Sequence, residues 1–133
     1  MKTKQLSRPF DQVELLTGSA TVKLAQVESS ASAPGKLLLS QARTACRTAL
    51  KFARLQPCWL PQALRLYGNA CWLAGKQKAA RVHWKESLEA AAQSGFPLEG
   101  ASTLMEMGDR TGDTQALEQA AAVFREYGAK VFL

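Results

Sequence analysis

The sequence has few of the residue types on which most catalytic and metal sites depend. Its 133 residues include one histidine and three cysteines, and no two cysteines have the Cys-x-x-Cys spacing. An odd cysteine count without that spacing indicates neither a disulfide framework nor a zinc site, so we expect a reducing, cytoplasmic location. No apolar stretch suits a signal peptide or a membrane span, so we also expect no membrane association.

Acidic residues are absent from the middle of the chain. Residues 29–85 contain ten basic and no acidic side chains, whereas residues 86–133 contain three basic and eight acidic ones. The whole chain has a net charge of +6, which understates this polarity. Two interpretations remain open, because the basic middle can attract the acidic third or a neighbouring module, or can form a binding surface.

Residues that could take part in catalysis, metal binding or phosphate binding lack the partner residues that such sites need. His83 is the only histidine available for acid–base work, and it lies beside Trp84 in a helical pattern where a structural role is the commoner one. Cys71 and His83 have no companions that would complete a zinc site. The Gly-Lys pairs at Gly35 and Gly75 lack the rest of a phosphate-binding loop. The sequence therefore predicts no enzyme, no cofactor and no metal.

Apolar residues recur at steps of three and four, which predicts an all-α fold of about six helices. A weak helical pattern over 11–28 and the loop-like stretch SSASAPG make residues 1–35 an N-terminal segment, followed by a helical domain over 36–133. Helices are predicted over 36–55, about 59–74, 77–94, 97–108 and 114–127. Gly108 and Gly128 are expected to end the last two.

A pattern of small, large and small residues recurs at an interval of thirty-eight positions. The full copies are Ala42, Cys46, Ala49, Leu50 and Ala80, Trp84, Ser87, Leu88. A partial third copy, Ala120, Phe124, Tyr127, follows the second after forty positions. Small residues allow a neighbouring helix to approach closely around one bulky side chain. We therefore predict that Gly68 and Ala80 lie where helices touch, with Trp84 between them.

The stretch LYGNACWLAGKQKAARVHWKESLEAA resembles one tetratricopeptide repeat, because Tyr67 and Gly68 precede Ala80 by the interval found in that family. Leu64, Cys71 and Ser87 depart from the tryptophan, tyrosine and alanine that the family favours. Residues 57–129 also look like the C-terminal end of the helical-repeat regions attached to adenylyl or guanylyl cyclases and to large ATPase and kinase regulators.

This resemblance implies an antiparallel helix-hairpin stack that serves as a protein-interaction or regulatory module. Such stacks leave an apolar side at each end, so self-association through the end hairpins is a further expectation.

Basic residues occupy equivalent places in the two full repeats. Arg43 and Arg47 correspond to Arg81 and Lys85, so a repeat stack is predicted to align them into one outer patch. An acidic peptide or a neighbouring domain can neutralise this patch, although an ordinary solvated face explains it as well. Nucleic acid is the alternative ligand of the basic surface over 36–85, but the sequence has no helix-turn-helix signature and no aromatic platform.

Arg65 and Asn69 lie four residues apart on the first helix of the middle repeat. They resemble half of the carboxylate clamp with which some tetratricopeptide proteins hold the C-terminus of a peptide. The other interpretation is that Asn69 satisfies a neighbouring backbone group. The predicted partner-binding residues are therefore Arg43, Arg47, Arg65, Asn69, Arg81 and Lys85.

Overall fold

Six α-helices account for nearly all of residues 9–29 and 35–132, the part of the chain that this computed structural model describes. They are α1 (Pro9–Ser29), α2 (Gly35–Ala53), α3 (Leu60–Leu73), α4 (Gln77–Ser94), α5 (Pro97–Thr111) and α6 (Thr114–Phe132). A single turn of 3₁₀-helix, Pro57–Trp59, precedes α3, and these two ranges contain no strand. The predicted all-α fold is confirmed.

The helices are arranged as three consecutive antiparallel hairpins. Helix α1 packs against α2, α3 against α4, and α5 against α6, while α2–α3 and α4–α5 contacts join one hairpin to the next. Helices α1 and α5 also both touch α3. The odd-numbered helices therefore lie side by side along one side of the stack. No helix in the described ranges has the length and apolar content needed to cross a membrane.

Proline and glycine set most of the helix ends. Pro61 and Pro97 stand within the first two positions of α3 and α5, where a missing backbone N–H costs no helical hydrogen bond. Gly75, Gly95 and Gly112 follow α3, α4 and α5 with φ values of 81°, 72° and 78°. Only glycine adopts this left-handed conformation without a steric cost, so each of them turns the chain into the next helix.

Two of the predicted helix ends are wrong. Helix α5 continues beyond Gly108 to Thr111, because Gly112 takes the left-handed conformation instead. Helix α6 continues through Gly128 to Phe132, since Gly128 is not among the glycines with positive φ. A glycine ends a helix only when its backbone leaves the right-handed region, and its presence in the sequence does not decide that.

The small-large-small pattern marks the buried side of α2 and α4. Every residue of the first three positions in both full copies has no exposed surface: Ala42, Cys46, Ala49, Ala80, Trp84 and Ser87. In the partial third copy Ala120 is 2% exposed, but Phe124 and Tyr127 are only half-buried. Helices α2 and α4 each pack between two helices, whereas α6 packs principally against α5.

Helix α1 belongs to the same core. Ala20 and Leu24 are buried in one cluster with Ala42, Cys46, Leu66 and Ala70. The division of the sequence after residue 35 therefore falls between the two helices of a hairpin. The weak apolar pattern of α1 still provides a buried face, which includes Thr17, Ala20 and Leu24.

Candidate binding surfaces

Arg65, one of the predicted clamp residues, is paired within the molecule. Its Nη1 lies 2.8 Å from Oε1 of Glu99 and 3.4 Å from the Glu99 carbonyl oxygen, and its side chain is 13% exposed. The ion pair joins α3 to α5, so it connects the basic middle of the chain with the acidic third. One of the two interpretations of the charge pattern, attraction between these parts, therefore applies to this residue.

Asn69 also has internal partners. Its Nδ2 donates to Oε2 of Glu106 over 3.3 Å, and its Oδ1 accepts from Nε1 of Trp84 over 3.0 Å. Asn69 is buried, with 5% of its surface exposed. Asn69 thus provides the acceptor for the indole N–H of the fully buried Trp84. The sequence had indicated a backbone group as the internal partner of Asn69.

This polar network extends across the stack. Arg110 of α5 pairs with Glu106 at 3.5 Å and with Glu28 of α1 at 2.5 Å. Ser87 Oγ donates to the Pro61 carbonyl at 2.7 Å and lies 2.8 Å from Thr103 Oγ1. These contacts form two groups. One joins Asn69 through Glu106 and Arg110 to α1, and the other joins Arg65 through Glu99 and Thr103 to Ser87 of α4.

The other predicted binding residues have no acidic partner in the part of the chain that the structure describes. Arg47, Arg81 and Lys85 are exposed, and Arg43 is half-buried with an Nε that is buried and lacks an acceptor. The ion pairs between described residues involve only Arg65, Arg110 and His83 on the basic side. Further exposed cations are Lys51 of α2, Arg54 directly after α2, and Lys78 of α4.

The Arg81 guanidinium group in α4 contacts the aromatic ring of Trp72. The Arg81 guanidinium carbon lies 6.0 Å from the ring centre of Trp72, within the range of a cation–π contact. The Trp72 ring in turn lies 5.7 Å from that of Trp84. Arg81 is therefore positioned by the core of the second hairpin while its residue remains exposed.

Lys76 belongs with the basic residues but was not among those predicted. The Gly75 turn folds the chain back, so the Lys76 N–H donates to the Cys71 carbonyl over 2.8 Å. Arg43 and Arg47 directly follow Ala42 and Cys46, which pack in one cluster with Ala70, the neighbour of Cys71.

Two buried thiols, Cys46 and Cys71, lie in the interior of the stack. Burial raises the pKa of Cys71, while Arg43, Lys76 and Arg47 act in the opposite direction. The nearby Cys46 thiol, which donates to the Leu66 carbonyl over 3.6 Å, has its pKa raised to about 12, chiefly by burial and further by Cys71. Burial thus keeps both thiols protonated near neutral pH, and a protonated thiol is a poor nucleophile.

The His83 side chain contacts two neighbouring side chains. Its ring lies 4.6 Å from that of Tyr67, and its Nδ1 is 3.0 Å from Oε1 of Glu86. Within residues 9–29 and 35–132, no three histidine, cysteine or acidic side chains are grouped so that they could hold a metal ion. His83 of α4 therefore packs against Tyr67 of α3 and pairs with Glu86 of its own helix.

An apolar groove of about 610 Å³ lies between α4, α5 and α6. The residues that line it include Leu88, Phe96, Leu104, Val123 and Tyr127. Ala91 and Gly100 also line it and contribute little side-chain volume. It lies beside the half-buried end of the third repeat.

Comparison with known proteins identifies no relative with which these surfaces can be compared. No protein-family model matches the chain, and neither a curated protein nor a solved structure shows significant similarity to it.

Proposed function

We propose that the chain is a tetratricopeptide-like interaction or regulatory module without catalysis, which binds an acidic peptide or the acidic face of a neighbouring domain. The observation that carries this proposal is the distribution of paired and unpaired charge. Arg65 and Arg110 pair with carboxylates, whereas Arg47, Arg81 and Lys85 are exposed and have no ion pair with a described residue. An acidic partner neutralises such a surface.

The packing of the middle hairpin supports the repeat assignment. A Cβ atom added to Gly68 would lie 2.5 Å from Cδ1 of Trp84 and 3.2 Å from the Ala80 carbonyl oxygen. The two helices therefore approach at a glycine and an alanine around one fully buried aromatic residue, as the resemblance to a tetratricopeptide repeat implies. Stacks of such hairpins expose long helical surfaces that suit the binding of other proteins.

The state of the cysteines supports the remaining parts of the proposal. Cys46, Cys58 and Cys71 are free thiols, which is in keeping with a reducing compartment, so we include a cytoplasmic location. Cys46 and Cys71 are buried, which favours packing over nucleophilic chemistry.

The proposal is tested with two probes of matched negative charge, a Glu-rich peptide and a single-stranded oligonucleotide, whose binding is measured by fluorescence anisotropy at low and physiological salt. We expect the peptide to bind, and the double substitution Arg47→Glu and Lys85→Glu to weaken it by about 10-fold or more because attraction becomes repulsion. Lys23→Glu with Arg125→Glu changes the net charge equally on α1 and α6, and should have a much smaller effect.

Each other outcome counts against the proposal. Tighter binding of the oligonucleotide, with a steep dependence on salt, would favour the nucleic-acid alternative. Equal weakening by the two double variants would show that only net charge matters. Binding of neither probe at low salt would remove the basic surface as a binding site.

A further inference from the structure

We propose that α6 is the interface of a symmetric dimer, in which the α6 helices of two copies of this chain pack antiparallel to each other. The face concerned consists of Leu117, Ala121, Phe124 and Gly128, and we name it the outer face of α6. These residues recur at steps of four, three and four, so they lie along one side of the helix. The inference is independent of the proposed function, because the exposed cations assigned to peptide binding lie on α2 and α4.

The outer face lacks, within the part of the chain that the structure describes, the second packing partner that α2 and α4 have. Helices α2 and α4 each pack between two helices, whereas α6 packs principally against α5. Phe124 occupies the repeat position of Cys46 and Trp84, which have no exposed surface, but Phe124 is only half-buried. Burial of the remaining apolar surface is favourable, so a further helix on this face would complete the packing pattern.

The outer face lies on the side of the third hairpin away from the apolar groove. Leu104 of α5 and Val123 of α6 line the groove on one side of the contact between these helices. Leu117, on the other side, meets α5 at Gly108, where an added Cβ would lie 2.5 Å from the Leu117 Cγ. Met105 follows Leu104 in α5, points about 100° away from it, and is 41% exposed. Helix α5 therefore adds apolar surface beside the outer face.

The charges along the outer face indicate that the partner helix is a second α6. Glu118 and Arg125 are exposed, directly follow Leu117 and Phe124, and lie on the same flank of the helix. They form no ion pair with a described residue. Within one helix they are too far apart to pair, since seven residues span about 10 Å.

An antiparallel arrangement brings these opposite charges together. Each Glu118 then lies opposite Arg125 of the other copy, so a two-fold axis generates two equivalent ion pairs. A parallel arrangement would instead place like charges opposite each other. Ala121 lies near the middle of the outer face and allows the two backbones to approach closely. Helix α6 contains two acidic and two basic side chains, so two such helices have no net repulsion.

The association is measured by sedimentation equilibrium of the full chain over a wide range of protein concentration. Contact along one helix edge buries less area than the roughly 1,200–2,000 Å² of a standard stable interface, so we expect a reversible dimer with a Kd on the order of 100 µM. A mass that stays at one chain well above that concentration overturns the proposal. A mass that rises beyond two chains also overturns it, because end-to-end contacts do not close.

A pair of neighbouring variants assigns the contact to the outer face. Ala121→Glu places two like charges at the middle of the interface and should weaken association by about 10-fold or more. Ala122→Glu introduces the same charge at the next exposed position, off this face, and should have a much smaller effect. Both residues are exposed, so the fold should be retained, and circular dichroism checks this. Equal loss in the two variants overturns the interface, because net charge then accounts for the effect.

The exposed apolar face of α1 provides a further control. Leu15 is 71% exposed, and Leu15→Glu should leave the dimer intact. Loss of association in this variant overturns the symmetric interface, because it would show that α1 of one copy or of both copies forms the contact.

Charge reversal tests the antiparallel orientation. Glu118→Arg or Arg125→Glu alone brings like charges together at two equivalent places and should weaken association by about 5-fold or more. An equimolar mixture of these two single variants should associate better than either variant alone, because each copy then presents the charges that the other lacks. A mixture that associates no better than the separate variants overturns the antiparallel pairing of α6.

Discussion

At the scale of single residues, glycines allow neighbouring helices to approach closely. Gly68 leaves the space that the Trp84 ring occupies, and Gly108 does the same for Leu117, whose Cγ would lie 2.5 Å from an added Cβ. These glycines have no positive φ, so their value lies in close approach. Gly112, four residues after Gly108, has the opposite role: its added Cβ meets nothing within 4 Å, but its φ is 78°.

Gly68→Ala is expected to lower the free energy of unfolding by about 1–3 kcal/mol, because the fully buried Trp84 has no space into which it can move. Gly18→Ala is the matched control, since Gly18 is also helical and an added Cβ meets nothing within 4 Å. That change should stabilise the chain by about 0.5–1 kcal/mol through helix propensity. Urea unfolding monitored by circular dichroism gives both values, and a stabilising Gly68→Ala would contradict the packing described for Trp84.

At the scale of the element, a short-range contact fixes the start of α6. Asp113 precedes α6, and its Oδ1 accepts from the N–H groups of Gln115 and Ala116 over 3.0 and 3.3 Å. Aspartate is favoured at this position because its carboxylate accepts hydrogen bonds from the first N–H groups of the helix. In contrast, no side chain caps the start of α4.

Asp113→Ala is expected to cost about 0.5–2 kcal/mol of stability, because two N–H groups at the start of α6 lose their acceptor. Asp109→Ala removes the same charge from an exposed position in α5 and should have a smaller effect. Thermal unfolding of both variants checks this expectation. Equal losses would indicate that the carboxylates contribute through the overall charge, with no special role for the cap.

At the scale of the whole molecule, α1 completes the stack. Its Ala20 and Leu24 share a cluster with residues of α2 and α3, and its Glu28 pairs with Arg110 of α5. The first helix thus contacts the second hairpin and reaches the third through this ion pair. The stack should therefore behave as one cooperative unit.

A chain that begins at residue 36 is expected to be destabilised, because removal of α1 exposes the Ala42 and Cys46 surface to water. Leu24→Ala in the full chain removes part of the same contact and should cost about 2–5 kcal/mol. Urea midpoints of the two proteins, with binding of a hydrophobic dye, measure the loss. If the shortened chain keeps the full midpoint and binds no dye, α1 contributes nothing to the core, and the packing described for it is wrong.

The repeat pattern correctly predicted the features that depend only on the spacing of residues along a helix. The small-large-small spacing identified the buried faces of α2 and α4, and it singled out Gly68, Ala80 and Trp84 as the contact between two helices. It was less informative for charge, because Arg65 and Asn69 find partners thirty-four and thirty-seven residues away, in Glu99 and Glu106. A sequence spacing specifies which residues share a helix face, but pairs between distant helices depend on how hairpins stack.

The amino-acid sequence by itself determined the helices, most of their ends and the faces they bury, because helix propensity, capping and the 3.6-residue period act over a few positions. Only the tertiary structure decided which glycines turn the chain, which cations are neutralised and where α1 belongs. These outcomes depend on contacts between residues far apart in the chain, whose free energies are set by burial and by the partners that packing brings within reach.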